Sequence, residues 1–440
     1  MLCSKASSFL MDAFMSARTY AISNAVFQAY GHTRYQTKPD VEILDFDNRL
    51  RASARLVICG DRQYELGRAA STIVQALQGT GMSLDELFEY LQDRHAITRG
   101  RLELVVEQLW LLGIIKNLDN STPAPSVAPR KPPGLALPVL RADWLKPLTG
   151  FVARHVSPRV VWPLVGVGIV LHIFIFSHYS KMVIPILRIP VNRAVLAALI
   201  LVSVISHELA HAAACTNRGV RHGPIGFMIY TIFPAMYTDV SDAWRLPARD
   251  RLVVDGAGIL TSFLLASLGA ALFLISPSAP SAILFLLNDS LVLVNLNPFL
   301  RMDGYWLISD LLRVPNLMNC NRAVTAWGLN RLLGRKREVP AILRTKGVLI
   351  VYLVYYFLWC AFLCWFGLAI FRFFKAFWGR AVEVGVVNGF LGLTLSAKMQ
   401  ILVLLIVAAR IAYSIFKAIR AFFPALSKSK PEGLRRGAQA

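Results

Sequence analysis

The chain has 440 residues, of which 55% are hydrophobic and 17% are charged, and its mean hydropathy is +0.51. These values exclude an ordinary soluble globular protein and predict a membrane protein with long apolar segments. The formal net charge is +21, which we interpret as basic residues that orient the chain and contact anionic lipid. Six cysteines without paired spacing exclude a zinc-finger or disulfide framework.

The first part of the chain predicts a small domain at residues 38–117. It follows a lead-in at residues 1–37, which is either an interfacial helix or an unstructured start and contains no cleavable signal peptide. The β-forming runs VEILDFD, ARLVICG and QYELG precede three helical stretches. Ser83 and Glu86 form a capping box at the start of the second helix. This order predicts a small α+β fold that is winged-helix-like.

Charge argues against nucleic acid as the partner of this domain. Residues 38–117 carry 10 basic and 12 acidic side chains, so the domain lacks the positive surface that phosphate groups require. The next segment, residues 118–158, contains NSTPAPSVAPRKPPG in its first half and is rich in proline and small polar residues. Such a composition predicts a linker.

Residues 159–416 contain apolar runs long enough to cross a hydrocarbon core, which needs about 20 residues. We predict six transmembrane helices, at residues 160–177, 194–215, 253–275, 282–300, 347–371 and 386–416. The segments 216–252 and 301–346 and the tail at 417–440 are basic, which predicts cytosolic termini in a bacterial inner or plasma membrane. The apolar run at 223–237 predicts strands or a re-entrant hairpin.

The motif HELAH lies inside the second predicted span. His207 and His211 are four residues apart and share one helix face, where two imidazoles can bind one metal ion. Glu208 stands beside them, placed to deprotonate a water molecule. The alternative is a histidine pair that is hydrogen-bonded inside a helical bundle. Because ionisable side chains are costly in hydrocarbon unless they are functional, we favour the metal site.

A catalytic zinc normally takes three protein ligands, so a carboxylate must come from another segment. In NLNPFLRMDGYW, Pro298 should break the helix, and Asp303 with Gly304 suits a turn. His207 and Asn295 lie equally far into two spans that both run inward, from 194 to 207 and from 282 to 295, so the two motifs reach the same depth. Asp303 is therefore the predicted third ligand. Four other aspartates are rivals by residue type: Asp239, Asp242, Asp255 and Asp289.

The motifs HELAH and NLNPFLRMDG resemble the site-2 protease family of intramembrane zinc metalloproteases, whose second motif is N-x-x-P-x-x-x-x-D-G. The string YTDVSDAWRLPARDR resembles the peptide zinc metalloprotease branch of that family. The resemblance implies one Zn²⁺ per chain, held by His207, His211 and Asp303. It also implies that Glu208 is the general base and acid, and that Asn295 holds the substrate carbonyl or its oxyanion.

The strings YELGRAASTIVQAL and SLDELFEYL resemble PqqD-like domains, which bind leader segments of ribosomally made precursor peptides. The resemblance implies that a leader peptide adds as a strand to an edge of the domain's sheet. The alternative is a docking or stability domain without a peptide ligand.

Together these patterns predict an intramembrane zinc endopeptidase that cuts a peptide bond near the cytosolic leaflet, in precursor-peptide maturation or export. The expected partners are a precursor peptide or membrane-protein substrate, the lipid bilayer and export machinery, but no nucleic acid. Two other functions stay open. One is site-2 cleavage of a membrane-anchored regulator, and the other is a non-proteolytic peptide-binding scaffold or exporter component.

Overall fold

A computed structural model describes residues 33–50, 53–60, 62–79, 81–92, 97–118, 136–179, 185–186, 189–230, 233–335 and 337–392. Most of the predicted sixth span at 386–416 lies outside the described residues. So do the predicted basic tail at 417–440 and residues 1–32 of the predicted lead-in.

The N-terminal part of the described chain is a small α+β domain. Its elements are β1 (Arg34–Thr37), β2 (Val41–Asp45), β3 (Arg55–Cys59), β4 (Arg62–Leu66), α1 (Arg68–Ala76), β5 (Met82–Ser83), α2 (Leu84–Gln92), α3 (Arg99–Leu111) and β6 (Ile115–Asn117). They form two antiparallel sheets, with strand orders β5-β1-β6 and β2-β3-β4. Because β1 lies in the predicted lead-in at 1–37, the sheet structure begins before residue 38.

The predicted capping box at the start of α2 is present. The backbone amide of Ser83 donates to Oε2 of Glu86 at 2.9 Å, and the amide of Glu86 donates to Oγ of Ser83 at 3.2 Å. These bonds satisfy amide groups that the first turn of a helix leaves without partners. The hydrogen bond from the Ser83 amide also lowers the pKa of the Glu86 carboxyl group.

The second half of the predicted linker is regular secondary structure, which corrects the prediction for 118–158. Strand β7 (Ala136–Leu140) is followed by helix α4 (Ala142–His155). Leu145 and Thr149 are buried on one face of α4. Its exposed apolar side chains follow helical spacing on another face: Trp144, Leu148 and Phe151. This amphipathic pattern is typical of a helix that lies along a membrane surface.

The rest of the described chain is mainly helical. Its elements are α5 (Pro158–His178), α6 (Arg193–Asn217), β8 (Ile225–Tyr230), β9 (Phe233–Thr238), a 3₁₀ helix (Ser241–Arg245), α7 (Ala248–Ile275), α8 (Ala279–Asn295), α9 (Asp303–Leu312), α10 (Leu317–Leu332), α11 (Ala341–Arg344) and α12 (Lys346–Gly392). Helix α7 is central and packs against α5, α6, α8 and α9.

Among the described residues, four helices are long and apolar enough to cross a membrane: α5, α6, α7 and the part of α12 from Lys346 to Ala369. Helix α8 is apolar but has only 17 residues, so the predicted count of six spans is not confirmed. The predicted break between the last two spans is wrong, because α12 continues without interruption through residues 372–385. This stretch contains no proline that would end a helix.

The apolar run at 223–237 forms a β-hairpin, as one of the two predictions for it required. Strand β8 pairs antiparallel with β9, from Ile225 opposite Thr238 to Tyr230 opposite Phe233. Strand β7 pairs with the other side of β8, which gives the order β7-β8-β9. Strand β9 is therefore an edge strand of this sheet, and it contacts α6.

Candidate metal centre

Helix α6 places the HELAH side chains in the protein interior. His207 and His211 are separated by one helical turn, so both imidazoles point in the same direction, toward α7 and α9. They are 3% and 0% exposed, and Glu208 is 2% exposed. Three ionisable groups buried together need compensating partners, since an isolated charge is expensive to bury.

The segment between α8 and α9 delivers the third group. Helix α8 ends at Asn295, and α9 begins at Asp303, so the predicted break near Pro298 is observed. Asp303 and Gly304, expected in a turn, instead form the start of a helix. A Cβ on Gly304 would be 2.5 Å from the carbonyl carbon of Leu296, which shows how closely the start of α9 packs on the end of α8.

Three ligand atoms meet at one point between α6 and α9. Nε2 of His207 lies 3.1 Å from Oδ2 of Asp303, Nε2 of His211 lies 3.5 Å from the same oxygen, and the two Nε2 atoms are 3.4 Å apart. In a tetrahedral zinc site with bonds of about 2.0–2.2 Å, neighbouring ligand atoms lie about 3.3–3.5 Å apart. The three observed separations, 3.1, 3.4 and 3.5 Å, are close to that spacing, so the three atoms could hold one zinc ion.

The hydrogen bonds behind the imidazoles support metal binding. Nδ1 of His211 lies 2.7 Å from the carbonyl oxygen of Val254. Since that oxygen only accepts, Nδ1 carries the hydrogen in the neutral ring and Nε2 presents a lone pair to the site. Nδ1 of His207 bonds to Oγ of Ser262 at 2.9 Å. A lone pair on Nε2 of His211 that faces the Asp303 carboxylate favours a cation between the two groups.

The acidity of Asp303 fits the same interpretation. Burial raises the pKa of this carboxyl group, but the imidazoles of His211 and His207 lower it by more, so its pKa lies well below the usual range. An ionised carboxylate is the form that binds zinc.

Helix α7 contributes no ligand but shapes the site. Val254, Gly258 and Ser262 lie one turn apart on one stripe of α7, facing the two histidines. A Cβ on Gly258 would lie 2.5 Å from Nε2 of His207 and closer still to Nε2 of His211. Glycine at this position leaves the space that the metal and its ligands need.

Glu208 is held by the hairpin. The hydroxyl of Thr238, the last residue of β9, lies 2.7 Å from Oε2 of Glu208 and 2.9 Å from its backbone oxygen. The carboxylate therefore has a fixed orientation beside the three ligand atoms. Because Thr238 is the last residue of β9, these hydrogen bonds join Glu208 to the edge strand.

Asn295 is buried at the end of α8, and its side-chain amide donates to the carbonyl oxygen of Leu291 at 2.9 Å. Among the described residues, the one group with metal-ligand geometry is His207, His211 and Asp303. The rival Asp289 pairs with His172 at 3.0 Å.

The remaining rivals are not part of that group. Asp242 binds Arg245, and Asp239 accepts from the backbone and hydroxyl of Ser241. Asp255 is buried on α7 next to Val254.

Sequence reasoning missed Thr238, Ser262, Gly258 and the Val254 carbonyl. A partial signal exists for the α7 residues, because small side chains recur every four positions in an apolar helix. These positions are Gly258, Ser262, Ala266 and Ala270. Such a pattern is typical of close helix packing in membranes. No local sequence pattern predicts the hydrogen bond between Thr238 and Glu208.

The fold and the site define a largely helical protein with membrane-length apolar helices and a buried two-histidine, one-aspartate group that is able to bind a metal. A similar protein is "Putative peptide zinc metalloprotease protein YydH" of Bacillus subtilis (strain 168), 28% identical over 110 residues. The match covers 24% of this chain and 42% of that relative. No protein-family profile and no solved structure matches the chain.

Proposed function

We propose that the chain is a zinc-dependent intramembrane endopeptidase of the site-2 type. The observation that carries this proposal is the set of three buried ligand atoms, 3.1 to 3.5 Å apart, with Glu208 adjacent in the same helix. The name of the Bacillus subtilis relative, which contains the words peptide zinc metalloprotease, supports it.

The proposed chemistry assigns each side chain a role. His207, His211 and Asp303 would hold Zn²⁺, which would polarise a peptide carbonyl and make a water molecule more acidic. Glu208 would take a proton from the attacking water and pass it to the leaving amine. Thr238 keeps the Glu208 carboxylate in place through its hydroxyl hydrogen bond. Asn295 stays the proposed contact for the substrate carbonyl or its oxyanion.

The proposed substrate-binding element is the edge of β9 that pairs with no other strand among the described residues. A protease needs its substrate in an extended form with free backbone groups, and an edge strand binds such a segment through main-chain hydrogen bonds. Strand β7 already occupies the other edge of the sheet. Since β9 ends at Thr238, a peptide paired with it would pass next to Glu208.

The proposed substrate is a precursor peptide that is matured or exported across a bacterial inner or plasma membrane. In this proposal the N-terminal domain is PqqD-like and takes the leader as an added strand, and export machinery receives the product. The domain boundaries of the sequence analysis and the cytosolic position of both termini belong to the same proposal. Cleavage of a membrane-anchored regulator is the competing outcome.

The decisive experiment compares Glu208→Gln with Glu89→Gln, a matched exchange at an exposed position of α2. Each variant is co-expressed with a precursor peptide encoded beside its gene, and zinc content and peptide cleavage are measured together. We expect Glu208→Gln to retain zinc and to stop cleavage, while Glu89→Gln behaves as the wild type. Unchanged processing in Glu208→Gln would rule out the protease proposal. If a membrane-anchored regulator is cleaved and the precursor is not, the substrate is a regulator and the proposed substrate class is wrong.

A further inference from the structure

The sheet β2-β3-β4 of the N-terminal domain is buried on both faces. Val57 and Tyr64 point into the domain's own core with its helices. Leu56, Ile58 and Phe46 belong instead to a core that includes residues of the membrane part. Leu56 and Ile58 are 4% and 3% exposed. The domain is thus packed against the rest of the chain, and not merely tethered to it.

Polar contacts at the edge of this interface hold the 3₁₀ helix. The side-chain amide of Gln63 donates to the carbonyl oxygen of Ser241 at 2.8 Å. Arg245 forms an ion pair with Glu42 of β2. Both contacts join the sheet to the segment that directly follows β9 and Thr238.

The domain also contacts the C-terminal end of α9. The backbone amide of Arg49 donates to the carbonyl oxygen of Arg313 at 3.0 Å, and the Arg313 side chain pairs with Asp47 at 3.4 Å. Arg313 adopts a left-handed conformation with φ of 54° and ends α9. The helix that begins at Asp303 is therefore held by the N-terminal domain at its far end.

Three aromatic rings connect the docked sheet to the start of α9. Phe46 lies 5.8 Å from Trp244 of the 3₁₀ helix, between ring centroids. Trp244 meets Trp306 edge to face, with centroids 6.2 Å apart. Trp306 is 2% exposed and follows Asp303 by one helical turn. The row of rings thus reaches the helix that carries the third ligand.

We propose that the N-terminal domain, docked through Phe46, Leu56 and Ile58, positions α9 so that Asp303 completes the zinc site. The physical reason is the small tolerance of a metal bond, since a displacement of about 1 Å of a ligand removes most of its contribution. Trp244 and Trp306 are positioning residues in this scheme. The domain is then a structural part of the metal centre, whatever peptide it also binds. The inference rests on the zinc site of the proposed function, but not on peptide cleavage.

The test measures zinc affinity by competition with a fluorescent chelator, together with amide hydrogen exchange in β3 and α9. Phe46→Ala removes the ring that touches Trp244, and Leu56→Asp places a charge in the docking face. We expect faster exchange in both elements and zinc binding that is weaker by about 10-fold to 100-fold, the range seen when groups that support metal ligands are lost. Trp306→Ala should give the same loss, and Trp306→Phe should restore most of the affinity.

Two controls separate docking from general stability. Tyr90→Ala removes an exposed aromatic ring of α2, and Val106→Ala removes packing inside the domain's own core. Both should bind zinc within about twofold of the wild type. The proposal is overturned if Leu56→Asp speeds exchange in β3 yet binds zinc as tightly as the wild type. It is overturned equally if neither Phe46→Ala nor Leu56→Asp changes exchange or zinc affinity. Because zinc is titrated directly, the result is distinguishable from a failure to cleave any peptide.

Discussion

Gly258→Ala is the sharpest test of the metal centre, because the new methyl group would occupy the space between the ligands. Its Cβ would lie 2.5 Å from Nε2 of His207, whereas ordinary contact begins at 3.4 Å. One or both imidazoles must therefore shift by about 1 Å, which is roughly half the length of a zinc–nitrogen bond. We expect zinc affinity to fall by about 100-fold or more, equivalent to about 2.7 kcal/mol. Overpacking should also lower the free energy of unfolding by about 1–3 kcal/mol.

Helix α7 offers a matched control two residues away. A Cβ on Gly256 would lie 3.8 Å from Cδ2 of Leu307, which is ordinary contact. Gly256→Ala should bind zinc normally, and it should be stabilised by about 0.5–1 kcal/mol because alanine is the better helix former. Zinc competition and thermal unfolding in the same detergent measure both effects. Equal zinc affinity in Gly258→Ala and Gly256→Ala would refute the placement of the metal between α6 and α9, next to Gly258 of α7.

Two further predictions concern the residues that support the ligands. Ser262→Ala removes the hydroxyl partner of His207, so zinc binding measured by chelator competition should weaken by about 10-fold to 100-fold, and normal affinity would show that Ser262 does not orient the ring. Arg251 and Asp310 form a fully buried ion pair at 2.8 Å that joins α7 to α9. Arg251→Met should destabilise the protein by about 3–5 kcal/mol in thermal or chemical unfolding, because it removes the guanidinium that pairs with the buried Asp310 carboxylate. Adding Asp310→Leu should recover most of the lost stability. A double variant as unstable as Arg251→Met would contradict this account.

The HELAH part of the site could be predicted from the sequence because it depends on local spacing. Two histidines four apart in an apolar run lie on one helix face in any α-helix, and the structure shows them so. The equal depth of HELAH and Asn295 followed from helix rise alone. The structure brings Asp303 to within 3.1 Å of His207 from a distance of 96 residues along the chain.

Other parts of the structure depend on contacts that leave no local pattern. Thr238 meets Glu208 only because β9 packs on α6, and a threonine at a strand end is ordinary in any sequence. Strand β7 could not be predicted from the sequence, because it pairs with β8 across a long sequence separation and follows a proline-rich stretch.

The sequence of β3 indicates that the sheet β2-β3-β4 is buried on both faces. In ARLVICG, Leu56, Val57 and Ile58 are consecutive apolar residues, whereas a strand with one solvent-exposed face alternates apolar with polar residues. An uninterrupted apolar run predicts burial on both sides. The structure supplies the second side as the interface with Trp244 and its neighbours.

Helix α7 explains why the residues that set the metal geometry need not be ligands. Along one stripe of α7, the Val254 carbonyl bonds to His211 and the Ser262 hydroxyl bonds to His207. Gly258, between them, has no side chain that would contact the two rings. These three features are spaced one turn apart, and so are the two imidazoles that they face on α6. A larger side chain at the middle position would fill the metal's space, while loss of either outer partner would free a ring to rotate. For the proposed zinc site, the spacing of these three groups along α7 therefore matters as well as the HELAH motif.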